Sequence, residues 1–343
     1  MNSKKLLSII IPTYNMEQYL PRCLDSLVNA KDALPKLEIL VINDGSKDSS
    51  SRIAHRYQKL YPDSVFVIDK ENGNYGSCVN RGLKEATGKY IKVLDADDWF
   101  DTTSLNFYLN ELSSTEADLI ITDYCHVNID GDVTSVKTFT LPRREEKNVT
   151  DYCKTPSFVD ITMHAVTYKT KILKETGYKQ TEGISYSDHE WVFIPMNYMR
   201  TFIYYDIRLY MYLLGREGQT VAPAVIAKSV NQRVILAKAL ISSYEAHHLS
   251  SPAIEFYLKE HLKNVLRLIY KLVLIGRHAP LDSLESIENG IRKNKRLYDL
   301  TENIVLDKRM PYRFIAQYRK RHSYSPWYIC ALYKLYQNLK TIK

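Results

Sequence analysis

Over the first 125 residues, short apolar runs alternate with stretches of helical periodicity, and this alternation leaves few folds open to the chain. Leu6–Ile11 is a β-branched run closed by Pro12, and in the stretch that follows Tyr19, Leu20, Cys23, Leu24 and Leu27 share one helical face. Leu37–Ile42, Val65–Ile68, Tyr90–Leu94 and Asp118–Thr122 read as further strands, with helices between them at Ser49–Tyr61, Tyr75–Ala86 and Ser104–Leu112. Strands separated by helices pair through crossovers, not hairpins. The expectation is therefore an α/β domain with a mostly parallel sheet and helices on both faces. Such sheets bind ligands just beyond the carboxyl ends of their strands.

Acidic residues stand at one of those ends. Leu94-Asp95-Ala96-Asp97-Asp98-Trp99 follows the apolar run Tyr90–Leu94 directly. Two acids one residue apart can hold a hard divalent cation through oxygen, leaving its other positions to diphosphate oxygens and water. A helix N-cap at Asp97 or Asp98, ahead of the segment beginning near Asp101, accounts for the same residues, and both readings stay open at this point. No G-x-G-x-x-G follows the first strand and no G-x-x-x-x-G-K-[ST] occurs, which excludes the dinucleotide-fold and P-loop fingerprints.

The organisation read from the sequence has three parts: an α/β half at 1–125, a less regular continuation at 126–220 with isolated strands such as Phe202–Tyr205, and a helical region at 221–343. Five scattered cysteines without a C-x-x-C pair indicate neither a zinc site nor a disulfide framework, and they point to a reducing cytoplasm. The segment between Lys5 and Pro12 is too short for a signal-peptide core, and the most apolar helical stretch, Val265 to Gly276, carries Arg267 and Lys271. A membrane-spanning protein is not expected.

Charge is placed unevenly. Five Lys and four Arg against one Asp give residues 307–343 a charge of +8, which is the charge of the whole chain, so residues 1–306 are neutral. Aromatics run through this tail from Tyr312 to Tyr336. A basic, aromatic helical segment suits peripheral contact with an anionic membrane, on its inner face for a cytoplasmic protein; a helical pair with a solvated face is the alternative. Nucleic acid is not expected as a partner, since no recognised nucleic-acid module accompanies the charge.

Four strand ends, taken in order, carry Pro12-Thr13-Tyr14-Asn15, Asn43-Asp44-Gly45-Ser46, Glu71-Asn72-Gly73-Asn74-Tyr75-Gly76 and Asp95-Ala96-Asp97-Asp98. Together they resemble glycosyltransferase family 2, whose members have the GT-A fold, with the match running from about Ser8 to Trp99. The resemblance implies an inverting, nucleotide-sugar-dependent transferase followed here by a helical C-terminal region. It implies that Pro12, Thr13 and Tyr14 line the nucleotide, that Asn72 belongs to the same nucleotide site, and that Asp44 accepts a hydrogen bond from the base, which favours UDP. Asp95 would approach ribose or metal and Asp97 would coordinate the cation, Mn²⁺ or Mg²⁺, since no Cys/His cluster competes. Val79 stands where relatives often carry Arg, before Asn80-Arg81-Gly82. Asp188, in Ser185-Tyr186-Ser187-Asp188-His189-Glu190-Trp191, takes the place of the family's base, with Glu190 as the fallback and a helix cap as the plain structural reading.

The implied partners are a nucleotide-diphosphate sugar donor and a glycan or lipid-linked acceptor. Lack of a Q-x-x-R-W sequence and of spanning helices favours one sugar per encounter. A sugar nucleotidyltransferase would carry a Gly-rich basic loop after strand one, where this chain has Pro12-Thr13-Tyr14-Asn15. A non-catalytic sugar-nucleotide binder would retain Asp44 and Asp97 but have no need of Asp188.

Overall fold

Strand β1 (Leu7–Thr13) buries Ile9, Ile10 and Ile11 in succession, so both of its faces are covered, as in a central parallel strand. The computed structural model describes residues 5–216, 218–219, 222–246 and 251–341, and the chain divides into two compact units, Met1–Glu217 and Gly218–Lys343. In the first unit β1 is followed by α1 (Leu20–Val28), β2 (Leu37–Asn43), α2 (Ser50–Leu60), β3 (Val65–Asp69), α3 (Asn74–Glu85) and β4 (Tyr90–Val93). β1 pairs in parallel with β2 and β4, and β2 pairs in parallel with β3. The chain steps outward from β1 to β3 and then back across β1 to β4. Right-handed crossovers therefore put α1 and α2 on one face and α3 on the other.

Beyond β4 the sheet is mixed. After β5 (Trp99–Phe100) and α4 (Thr102–Ser114) come β6 (Leu119–Val127), β7 (Val133–Lys137), β8 (Lys147–Asn148), β9 (Val166–Lys169) and β10 (Thr201–Leu213). The strand order is β3-β2-β1-β4-β9-β6-β10-β5, with β7 on β6 and β8 on β10. β9 is antiparallel to both β4 and β6, and β10 is parallel to β6. Two reversals restore direction, so β4, β6 and β10 all end at the same edge.

Two local expectations change. Asp101, not Asp97 or Asp98, caps α4, accepting from Ser104 N at 2.8 Å, which frees the earlier acids from capping. The segment expected as Phe202–Tyr205 belongs to the 13-residue β10, because register shifts against β6 around Arg208 let Asp206 and Arg208 point outward without ending the pairing.

In the second unit α5 (Val230–Ala246) packs on α6 (Pro252–Leu274), joined by α7 (Glu285–Lys293), α8 (Lys295–Glu302), α9 (Phe314–Arg321) and α10 (Trp327–Thr341). Buried Arg319 donates to both oxygens of buried Glu288, with Nε–Oε2 at 3.1 Å and Nη2–Oε1 at 3.0 Å, and Tyr270 OH also bonds that carboxylate. No helix among the described residues is long and apolar enough to cross a membrane.

The packing of α3 on β1 rests on Gly82, where an added Cβ would lie 2.6 Å from Ile10 Cγ2 and 2.8 Å from its Cδ1. Gly82→Ala is expected to destabilise the first unit by about 1–3 kcal/mol through overpacking, read as a lower urea midpoint at unchanged slope. An unchanged midpoint would show that α3 does not need this close approach.

Candidate active site

The register sets the site. Thr13 pairs with Asn43 and Asn43 with Asp69, so β1, β2 and β3 end level and their loops meet. Asn15, at φ 54°, accepts from Lys47 N at 2.8 Å and donates its own N–H to Ser46 Oγ at 3.1 Å, which joins the first loop to the second. Asp44 N donates to Thr13 O at 2.8 Å. Gly45 has φ +71°, and a Cβ there would stand 3.3 Å from Asn72 N, so the second loop needs glycine to approach the third.

Asp44 is 2% exposed, and its Oδ1 accepts from Lys70 Nζ at 2.5 Å and from Gly73 N at 2.9 Å. Asn72 Nδ2 donates to Asp44 O at 3.0 Å. These contacts border a cavity of about 510 Å³ whose lining includes Tyr14, Asn43, Gly45, Lys47 and Asn72. Tyr14 is 45% exposed there, Pro12 is half-buried, and Thr13 is buried with its hydroxyl donating to Ile11 O at 3.1 Å. Of the residues expected at the nucleotide, then, Tyr14 and Asn72 border open space, while Asp44 is a loop-holding carboxylate paired with a lysine that the sequence did not single out.

The acids after β4 form a second focus. Asp95 Oδ1 accepts from Tyr75 OH at 2.9 Å, and Asp95 N donates to Tyr210 OH at 3.1 Å. Tyr210 OH donates to Asp98 Oδ2 at 2.6 Å, and Leu213 N donates to Asp98 Oδ1 at 2.8 Å. Asp97 pairs through Oδ2 with Arg216 Nε, and its carbonyl accepts from Arg22 at 3.2 Å, the Arg22 guanidinium lying 3.6 Å over the Trp99 ring. Burial and the neighbouring Asp97 push the Asp95 carboxyl up to about 7, and burial with both neighbouring acids raises Asp98. Like charges are crowded here, which favours a cation.

His164 completes this focus. One carboxylate oxygen each from Asp95 and Asp98 and a ring nitrogen of His164 lie within 4.8 Å of one another. The ring stacks on Tyr212 at 4.2 Å, meets Tyr210 edge-on at 4.9 Å and sits near Thr162 Oγ1, 3.1 Å from Nδ1. Burial and nearby Lys92 bring its pKa down to about 3, so the imidazole stays neutral and able to ligate. Lys92 itself is fully buried in β4 and donates to His164 O at 2.7 Å and Val166 O at 3.0 Å, fastening the turn that carries the ring. Two carboxylates with one imidazole suit Mn²⁺ better than Mg²⁺, whose shell is built from oxygen, so His164 narrows the expectation drawn from the acids alone. Asp97, the expected ligand, adjoins this cluster with Arg216 on one of its oxygens.

Asp188 opens the short helix Asp188–Phe193, and Ser187 at its N-cap makes no side-chain cap bond. The half-buried Asp188 lies within electrostatic reach of Tyr75, Asp95 and Tyr212. Gly76 makes that approach possible, since a Cβ there would fall 2.1 Å from Thr181 O and 3.0 Å from Ser187 Oγ. Glu190 is buried, and its oxygens accept from Thr181 N at 2.6 Å and Thr181 Oγ1 at 2.7 Å. The fallback base is thus occupied in holding the loop that precedes Asp188.

Lys70, Tyr75, Lys92, Tyr210 and Arg216 were not found by reading the sequence. Arg216 carried a faint signal, a lone cation between Gly215 and Gly218; Lys92 and Tyr210 sit inside ordinary strand patterns, Lys70 just past a strand, and Tyr75 within the third strand-end motif, where no role was read for it. Arg81 lies away from the acids and pairs with Glu85 at 2.8 Å on the exposed side of α3.

Comparison with known proteins bears on the family and the fold. The family model for glycosyl transferase family 2 matches residues 8–177. An uncharacterized glycosyltransferase of Mycoplasma pneumoniae, the MG025 homolog, is 37% identical over 131 residues, covering 37% of this chain and 42% of that protein. The match thus spans less than half of that relative's length. Staphylococcus aureus TarS 1–349, solved in complex with UDP, superposes with a TM-score of 0.66 at 17% identity over 94% of this chain and 93% of that one. Its complex with UDP-GlcNAc gives 0.64 at 18% identity, with the same coverage. The mannosyltransferase PcManGT of Pyrobaculum calidifontis, in complex with GDP-Man and Mn²⁺, gives 0.50 at 14% identity over 87% of this chain and 83% of that one. Residues 8–177 of the chain belong to glycosyl transferase family 2.

Proposed function

We propose that the protein moves a sugar from a nucleotide diphosphate, UDP in this reading, to a hydroxyl of a glycan or lipid-linked acceptor, with inversion and in a single displacement. The observation that carries the proposal is that the half-buried Asp188 lies within electrostatic reach of Tyr75 and Asp95, the latter just past the end of β4. Family membership and the UDP and UDP-GlcNAc complexes of TarS support the donor class. Free cysteines, four of them buried, fit a cytoplasmic setting.

In this mechanism the acceptor oxygen attacks the anomeric carbon on the face opposite the diphosphate, and its proton passes to the Asp188 carboxylate. The bond from the anomeric carbon to the diphosphate oxygen breaks, and its electron pair leaves with the nucleoside diphosphate. Tyr14 packs against the base, Pro12, Thr13 and Asn72 line the nucleotide, and Asp44, which already holds the loop through Lys70 and Gly73, would turn its carboxylate to the base N–H only as that loop opens to the nucleotide. Asp95 and Asp97, with Asp98 and His164 beside them, would hold Mn²⁺ or Mg²⁺. When bound, the ion supplies Lewis-acid stabilisation of the departing diphosphate. Tyr75 and Tyr210 keep the acids in place through the hydrogen bonds described above.

A screen of UDP-, GDP- and dTDP-sugars for metal-dependent release of nucleoside diphosphate tests the donor, and release from GDP- or dTDP-sugars alone would remove the UDP assignment. Asp188→Asn should lower transfer and slow donor hydrolysis by about 10²–10⁴-fold while UDP affinity in calorimetry stays near wild type. Persistent hydrolysis would exclude Asp188 as the base. Mn²⁺ with UDP at about 100 times the dissociation constant should stabilise the wild type by about 2.7 kcal/mol in thermal melts. Asp95→Asn and Asp97→Asn should each lose most of that gain, and retention in both would move the cation elsewhere. Asp44→Ala should weaken UDP binding by about 1.5–3 kcal/mol, the value of a hydrogen bond to a charged group.

A further inference from the structure

The last helix is anchored along one side and bare along the other. Tyr333 OH accepts from Lys271 Nζ at 3.0 Å, and Tyr336 OH donates to Asp307 Oδ1 at 3.0 Å, so these residues mark the inner face of α10. The turn before the helix is held by Ser325 N donating to Leu274 O at 3.1 Å and by the Arg277 guanidinium 5.3 Å over the Tyr324 ring. Its outer surface carries Trp327, Tyr328, Leu332 and Leu335, which are 76%, 51%, 52% and 59% exposed, Leu332 flanking the inner face and the others lying further round. Tyr328, Leu332 and Leu335 follow helical spacing, so they form a continuous stripe and not scattered surface apolar residues.

Charge identifies what fits against this stripe. Arg319 is occupied by the buried pair with Glu288, but Lys308, Arg309, Arg313, Lys320, Arg321 and Lys334 are exposed. The only acid from residue 307 onward is Asp307, which bonds Tyr336. Arg321 at the basic end of α9 and Tyr328 at the head of the stripe both lie within electrostatic reach of Tyr312. A second copy of this chain would bring the same positive charge to the contact and be repelled. An anionic bilayer offers both complements: acyl carbon for Leu332 and Leu335, a headgroup layer suited to Trp327 and Tyr328, and phosphate for the lysines and arginines.

We propose that α10, together with the basic end of α9, docks on an anionic lipid surface with the stripe of Tyr328, Leu332 and Leu335 turned into the headgroup–acyl boundary. The helix lies on the membrane and does not cross it. This docking is independent of the sugar-transfer reading, because none of its residues belongs to the proposed catalytic site.

The test uses the full chain with vesicles of phosphatidylcholine alone, or with one lipid in three replaced by phosphatidylglycerol. Co-sedimentation is expected with the anionic vesicles only, weakening as salt rises. The Trp327 emission should shift to the blue on binding, against a background from Trp191, which is buried, and Trp99, which lies under Arg22. Leu332→Glu with Leu335→Glu should lower the partition coefficient about tenfold or more at an unchanged melting temperature, and Lys320→Glu with Arg321→Glu should remove most of the preference for anionic lipid. Indifference of the wild type to anionic vesicles at low salt, or binding that survives the double Leu→Glu change, would overturn the proposal. Self-association in sedimentation equilibrium that the double Leu→Glu change abolishes, without vesicle binding, would also overturn it and assign the stripe to a second copy. Donor hydrolysis in solution, measured on the same variants, is expected to be unaffected, so a failure of docking and a failure of the transferase reading are told apart.

Discussion

Three carboxylates within Asp95-Ala96-Asp97-Asp98 repel one another, and much of the first unit is arranged to hold them together regardless. Each is fastened by a different partner: Asp95 by Tyr75, Asp97 by Arg216, and Asp98 by Tyr210 and the backbone of Leu213. The upward shifts of Asp95 and Asp98 are the signature of that crowding. Acids so placed are stable as a cluster only with protons, donors or a cation among them, and the neutral imidazole of His164 adds a nitrogen ligand to the set. In the proposed reaction the same field that favours a cation also favours a diphosphate bridged through it.

The tyrosines deserve equal weight with the acids in this arrangement. Tyr75 at the start of α3 and Tyr210 near the end of β10 come from opposite ends of the first unit, yet both hydroxyls bond the acidic turn. Gly76, next to Tyr75, admits the segment that carries Asp188, and Glu190 ties that segment to itself through Thr181. Small residues and buried hydrogen bonds thus set the distance between the proposed base and the proposed cation site. Lys92 extends the same logic one layer deeper: burial pulls its pKa down to about 7, and its amine donates to two carbonyls that fix the turn under His164.

Much of the parallel half was legible in the sequence because its determinants are local. Strands β1 to β4 and the helices between them came from apolar runs and helical spacing, and their observed limits lie within a few residues of those read. The Asp97 or Asp98 cap was not the one used, because Asp101 stands one residue before the first helical position and reaches Ser104 N. The long β10 was missed beyond Tyr205 because its period is interrupted by outward-facing Asp206 and Arg208, a feature that only pairing with β6 explains.

By itself the sequence determined that the chain alternates strands with helices and that Tyr14, Asp44, Asp95 and Asp97 lie past strand ends, since both follow from side-chain period and from the hand of the crossover. Only the tertiary structure decided which distant groups meet those acids. His164, Tyr210 and Arg216 are brought to them by the return of the chain through β6, β9 and β10, and Tyr75 by the start of α3; their place depends on strand order, register and packing, which no local pattern of residues encodes.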